Sequence, residues 1–487
     1  MHAGDLISNW INGREQPTVN GMVFQKVDPT NGKPLWDVSR SNLEDVRQAV
    51  NAARQAQPSW ADVPPVKRGS ILHEMALAMG KRQMEIARIV ASETGKSLKD
   101  AVAETEGAIS LGLFYASEGQ RLYGRTTTSS IPQKYVMTVR QPVGVAGLIT
   151  AANTPIANVA WKIFPALICG NAVVLKAAED TPATAWIMGL IAHECGLPQG
   201  ILNIIQGYGE EAGRPLVEHH DVDIISFTGS TAVGRFIHQT AGKRLAKVSL
   251  ELGGKNPIVI CDDADLGNAN KWTVLSAFSN AGQRCASGSR IIIFNDIYAQ
   301  FRDMLVRHTN ELKIGPRDED DFGPVINKKQ LDHMLAVVDR AQKNGALILT
   351  GGTRLNDPDH ANGFYMAPTL LENVKPRDEI STTELFGPIA CLYRVNNFQE
   401  ALTLANDSPY GLTACIHTRS LHRAMEFTKR VQSGVAIVNA GTYGSEPHMP
   451  FGGLKASGNG WREPGTEAID IYSELKNIYI NTDPAFL

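Results

Sequence analysis

Cys285 stands in the stretch FSNAGQRCASGSR, Phe278 to Arg290, with an arginine directly before it and glycines and serines around it. A thiol attacks carbon as its thiolate, so it needs access for a substrate and an electropositive setting or helix start that favours ionisation. Small neighbours and Arg284 supply both. The stretch therefore predicts a polar, mobile loop carrying an ionised nucleophile, although an inert thiol beside an arginine fits the same residues. Cys169, Cys261, Cys391 and Cys415 have aliphatic neighbours and read as small core hydrophobes, and Cys195 falls at a helix end. A second chemical residue is Glu251, which in VSLELGGKNP ends an apolar strand and meets paired glycines. Such a carboxylate points into a cleft, where partial desolvation raises its pKa and makes it a usable base. Paired with a nearby lysine, it would be structural instead.

Two further stretches have the makings of binding sites. In FTGSTAVG, Gly229 and Ser230 lie where a strand gives way to a helix, and free backbone N–H groups with the helix dipole suit a phosphate there. In VVLKAAED, Lys176 and Glu179 follow a strand, and the acid is suited to a ribose diol while repelling a 2'-phosphate. The GxGxxG fingerprint is absent: GYGEEAG, Gly207 to Gly213, has one residue too many.

Strands and helices must present these residues. Apolar runs such as GVAGLIT, AVVLKA, ILNIIQG and DIISFTG alternate with helical stretches such as TPATAWIMGLIAHECGLP, which is the rhythm of βαβ units in a mostly parallel sheet. A second series, NPIVICDDAD, RIIIFND, ALILTGG and IACLYRVNN, follows a seam near Leu252. The 3.6-residue periodicity from Leu43 to Ala56 and from Pro65 to Thr94 makes the opening third largely helical. Thr126 to Gly144 and the C-terminal SELKNIYINTD alternate as ribbon strands do, and both are expected to pack as arms on another subunit.

A chain of 487 residues exceeds what one core supports, so two or three domains are expected. A formal charge of -3, without a basic cluster, argues against nucleic-acid or anionic-membrane partners. No window reaches about 18 uncharged apolar residues, and the first residues lack a secretory pattern, so a cytoplasmic location is expected. Six cysteines without a CxxC pair predict neither a disulfide framework nor a metal site.

Taken in order, TAANTP, VVLKAAED, FTGSTAVG, LELGGKNP, NAGQRCASGSR, ELFGPIA and PHMPFGGLKASGNG resemble the motif series of the NAD(P)-dependent aldehyde dehydrogenase superfamily. The resemblance implies two Rossmann-like α/β domains plus a β-ribbon arm: a dinucleotide-binding domain over 1–125 and 143–251, a catalytic domain over 252–468, and an oligomerisation ribbon over 126–142 and 469–487. It implies Cys285 as nucleophile, Glu251 as general base and the Asn153 amide as oxyanion donor, with Lys162 near base and cofactor. Lys176 and Glu179 correspond to the adenine-side ribose contacts, Gly229 and Ser230 to the phosphate contacts, and Glu384 and Phe386 to the nicotinamide contacts. NAD is expected over NADP. Arg284, His448, Arg462 and Phe451 are the candidates for holding a substrate, the two basic groups and His448 through a carboxylate at its far end. The implied reaction takes an aldehyde to an acid in a homodimer or homotetramer. A coenzyme A-acylating member and a cysteine hydrolase are the alternatives. Where many members carry Pro-Trp before the asparagine, this chain has Ala151-Ala152, which removes a large apolar wall.

Overall fold

The computed structural model of the protein describes residues 4–482. The ends of the expected first and last segments, residues 1–3 and 483–487, lie outside the described residues.

Two seven-stranded sheets dominate. The first runs in the order Lys247–Glu251, Ile224–Thr228, Val145–Ile149, Ala172–Lys176, Leu202–Ile205, Asn9–Ile11, Arg14–Gln16. Its first five strands are parallel and the last two antiparallel. Val145–Ile149, Ala172–Lys176 and Leu202–Ile205 are buried at every position, which is why they read as unbroken apolar runs: helices cover both faces. From Val145–Ile149 the chain builds outward first to one side and then to the other. This reversal opens a crevice at the carboxyl ends of the strands, where ligands bind in open α/β sheets. Asn153, Gly229 and Leu252 all follow strand ends at that edge.

The second sheet runs in the order Leu347–Thr350, Thr369–Glu372, Ile389–Val395, Gly288–Phe294, Asn256–Ile260, Thr413–His417, Val435–Val438. Only the first pair is antiparallel. Cys285 precedes Gly288–Phe294, and Glu384 and Phe386 precede Ile389–Val395. This sheet therefore offers strand beginnings to the crevice where the other offers strand ends.

Two details depart from the sequence reading. Helices fill 43–118, but the chain before them forms five strands of two to six residues, of which Asn9–Ile11 and Arg14–Gln16 extend the first sheet. Such short segments carry too few residues for a period to show. The two expected arms also pair with each other: Ser473–Asn481 lies antiparallel to Lys134–Pro142 over nine residue pairs, with Thr126–Thr127 on the far side. Among the described residues no helix is long and apolar enough to cross a membrane.

Candidate active site

A cavity of about 760 Å³ lies between the two sheets. It gathers Asn153, Gly229, Ser230 and Glu251 from the first sheet's edge, and Arg284, Cys285, Glu384, Phe386 and Phe451 from the second part of the chain.

The cysteine loop is pinned, not mobile. Residues Asn280, Ala281 and Gly282 have φ of 55°, 52° and 66°, a left-handed run that turns the chain sharply after the helix Leu266–Phe278. Asn256 Nδ2 donates to the carbonyls of Cys285 and Ser287 at 2.7 and 2.9 Å, and Thr442 Oγ1 donates to that of Ala286 at 2.6 Å. Cys285 keeps partial exposure at the cavity wall. Its ionisation corrects the sequence reading: burial, followed by the nearby Glu384 and Glu251 carboxyls, pushes the thiol up to about 12. Arg284 opposes this as the smallest of the influences, and its guanidinium stacks 4.8 Å over the Tyr443 ring. The resting group is a neutral thiol. Cys169, Cys261, Cys391 and Cys415 are buried, and Cys195 is half-buried.

Glu251 pairs with no lysine. Both carboxyl oxygens are buried without a hydrogen-bond partner, and burial followed by the charge of Glu463 holds the group well above the carboxylate range. Gly452 makes room for it, since a Cβ there would press on Oε1. Lys162 lies outside the cavity lining. Its Nζ donates to Glu463 Oε2 at 2.9 Å and to Ser226 Oγ at 2.7 Å, with both members of the ion pair buried. Lys162 thus reaches Glu251 only through its field, which favours the ionised carboxylate. Sequence reasoning had no sign of Glu463, 301 positions from its lysine.

Asn153 donates from Nδ2 to the Gln283 carbonyl at 2.9 Å, and Asn158 Nδ2 donates to its Oδ1 at 3.2 Å. An amide nitrogen has two hydrogens, so one remains for a ligand. The missing tryptophan is replaced in part: Ala151 lines the cavity there, while Trp161 and Phe451 form an edge-to-face pair at 5.7 Å. Lys96, Glu104, Tyr443, Gln330 and His333 also line the cavity. Sequence reasoning missed them because no chemical motif surrounds them.

The residues assigned to a dinucleotide divide in two. Ser230 caps the helix Thr231–Gly242 by accepting from the Val233 N–H at 3.4 Å, and this helix start faces the cavity beside Glu384 and Phe386. Glu384 accepts from the Gly254 N–H at 3.1 Å; burial raises its carboxyl to about 7, against that bond and Lys255. Lys176 and Glu179 lie outside the lining and pair with each other at 2.9 Å. Burial acts to raise Glu179, yet Lys176 holds it below the usual range, so it is ionised. A helix start for phosphates and a carboxylate at each end for ribose hydroxyls fit a dinucleotide. His448 lies outside the lining, its side chain exposed and 3.8 Å from Glu446. The Arg462 Nη1 donates to the carbonyls of Gly453 and Trp461. The one cluster with metal-ligand character among the described residues, His219, His220 and Asp221, precedes the strand Ile224–Thr228, away from the cavity.

A model of the aldehyde dehydrogenase family matches residues 17–478. The chain belongs to that family. It is 37% identical to the alpha-ketoglutaric semialdehyde dehydrogenase of Bacillus subtilis over 475 residues, 97% of each chain. It is 35% identical to the alpha-ketoglutarate semialdehyde dehydrogenase of Haloferax volcanii over 98% of this chain and 99% of that protein. A betaine aldehyde dehydrogenase of Staphylococcus aureus solved in complex with NAD+ superposes with a TM-score of 0.96 at 32% identity, covering 98% of this chain and 95% of the other. The fold of this family member is therefore that of aldehyde dehydrogenases, with two parallel Rossmann-like sheets.

Proposed function

We propose that the protein oxidises an aldehyde to its carboxylic acid with NAD+, through a thioester on Cys285. The observation that carries this reading is one cavity holding the Cys285 thiol, the unpartnered carboxyl of Glu251 and the Asn153 amide. Cys285 gives its proton to the Glu251 carboxylate, which passes it on to solvent, and its sulfur adds to the aldehyde carbon; the oxygen takes the negative charge and receives hydrogen bonds from Asn153 Nδ2 and the Cys285 backbone N–H. NAD+ would be held by Gly229, Ser230, Glu384 and Phe386 at the cavity and by Lys176 and Glu179 beyond it, and when bound would accept the hydride that leaves the carbon attached to sulfur. The acyl group left on sulfur is a thioester. Glu251 takes a proton from water, the hydroxide attacks the acyl carbon, the C–S bond breaks and the acid leaves. Lys162 favours the ionised form of Glu251 from below.

The substrate in this reading carries a carboxylate at its far end. Arg284 lines the cavity and its Nε is buried without a partner, so an anion there would satisfy a donor otherwise stranded. The two relatives named for alpha-ketoglutaric semialdehyde act on such a compound. Phe451 and Trp161 wall the same space, and His448 and Arg462 have no part in the proposal. The chain divides at 126, 143 and 252 as the resemblance implies, and works in the cytoplasm as a homodimer or homotetramer through its ribbon.

The test combines two variants with a panel of succinic, 2-oxoglutaric and simple aliphatic aldehydes. Wild type with NAD+ forms NADH and free acid, and Cys285→Ala forms none while retaining the NAD+-induced rise in Tm. Arg284→Met raises KM for the carboxylate-bearing aldehydes roughly tenfold or more, the loss of about 1.5–3 kcal/mol expected for a charged hydrogen bond, and leaves the aliphatic ones unchanged. Turnover by Cys285→Ala would remove the mechanism; equal efficiency with and without the terminal carboxylate would remove the anion site.

A further inference from the structure

Asn153 follows a strand of the first sheet and Cys285 precedes a strand of the second, yet an oxyanion donor must keep its separation from the nucleophile to a fraction of an ångström. Beside them the structure holds an ion pair with no task in the reaction described above. Lys96 Nζ and Glu104 Oε2 meet at 2.6 Å, with 6% and 7% of the side chains exposed. Lys96 follows Gly95, whose left-handed φ of 74° ends the helix Gln83–Thr94 and turns the chain toward the cavity.

Both partners spend their remaining bonds on the segment that carries Asn153. Lys96 Nζ donates to the Asn153 carbonyl at 3.0 Å, where Asn280 Nδ2 also donates at 3.2 Å. Glu104 Oε1 accepts from the N–H groups of Ile156 and Ala157 at 3.0 and 3.4 Å, at the start of the helix Pro155–Ile168. A helix start needs an acceptor, and a lone carboxylate would serve. The lysine adds a bond to Asn153 itself, so the pair grips the chain on both sides of Thr154.

The same turn is locked to the nucleophile. Gly95 packs so closely on Pro324 that a Cβ would collide with its ring. The Pro324 carbonyl accepts from Gln283 Nε2 at 3.2 Å, and Gln283 Oε1 accepts from the Ile326 N–H at 2.9 Å. Gln283 is two residues from Cys285, and its carbonyl is the acceptor for Asn153 Nδ2. Donor, ion pair and cysteine loop thus form one closed circuit of hydrogen bonds and packing across the boundary between the sheets.

We propose that Lys96 and Glu104 are positioning residues that hold the Asn153 amide in register with the Cys285 sulfur; the proposal rests on Asn153 being the oxyanion donor. Lys96→Met leaves a carboxylate buried without its counter-ion, so Lys96→Met/Glu104→Gln is made beside it to remove both charges together. The expected result is a kcat lower by about 100-fold, the scale of a 1 Å misplacement, with KM for NAD+ unchanged and Lys96→Arg recovering part of the loss. Alkylation of Cys285 by iodoacetamide keeps its wild-type rate, because displacement of iodide at saturated carbon develops no oxyanion. A folded double variant with kcat within twofold of wild type overturns the proposal. So does a parallel loss of alkylation rate and NAD+ affinity, which marks a structural pair whose removal collapses the cavity. Asn153→Ala separates the two layers: if it keeps full kcat the oxyanion reading itself fails, whereas a crippled Asn153→Ala beside an unimpaired double variant removes the positioning role alone.

Discussion

Glu384 stands where cofactor binding and thiol chemistry meet. Its carboxyl titrates at about 7, and its charge is the largest influence on Cys285 after burial. An ionised neighbour disfavours a thiolate, so the sign follows directly. Glu384→Gln keeps an oxygen for the Gly254 N–H and removes the charge, and therefore lowers the Cys285 pKa. Alkylation of the variant by iodoacetamide, followed against pH, shows its midpoint shifted downward from wild type; an unmoved or raised midpoint would mean that the Glu384 charge does not act on the thiol. The types of residue needed for the reaction were legible in the sequence, since a cysteine among glycines and serines and a glutamate before paired glycines are rare company. Their charge states were not. Ionisation depends on groups brought together from distant segments, and the arginine next to Cys285 in sequence is turned onto Tyr443 in space.

The elements that carry these residues differ in how openly the sequence declares them. Unbroken apolar runs announce the parallel strands because both faces are covered, whereas Asn9–Ile11 and Arg14–Gln16 join the first sheet with too few residues to show a period. The left-handed run before Cys285 was hidden for another reason: only Gly282 among its three residues is a type that favours positive φ without cost. Its glycine is doubly required. An L-residue in the left-handed region costs roughly 1–2 kcal/mol, and a Cβ at Gly282 would collide with the carbonyl oxygen of Gly387, one residue beyond Phe386. Gly282→Ala therefore lowers stability by about 2 kcal/mol or more and displaces both the cysteine loop and the Phe386 turn. Denaturant unfolding combined with steady-state kinetics checks this, with kcat falling and KM for NAD+ rising together. A change in stability without loss of kcat would show that the loop relaxes without moving the sulfur.

At the scale of the whole molecule, the cavity exists because one sheet contributes strand ends and the other strand beginnings, so each half supplies what the other lacks. The ribbon stands apart from that arrangement. Among the described residues its strand Ser473–Asn481 has a neighbouring strand on one side only, and Leu475, Tyr479 and Ile480 on it, with Tyr135 on the strand it pairs with, are exposed large hydrophobics. A long strand edge with apolar side chains invites pairing with another chain unless something covers it. The sequence pointed to this through alternation but not to the pairing of the two arms with each other, since a register between segments more than 300 residues apart has no local trace. If a second copy covers the ribbon, Leu475→Glu/Tyr479→Glu puts like charges into that contact without removing the strand. Wild type then sediments as a dimer or tetramer, and the variant shifts to a smaller species while far-UV circular dichroism is preserved. A wild type that sediments as a monomer at micromolar concentration would show that solvent alone meets these side chains, and the ribbon would need a partner of another kind.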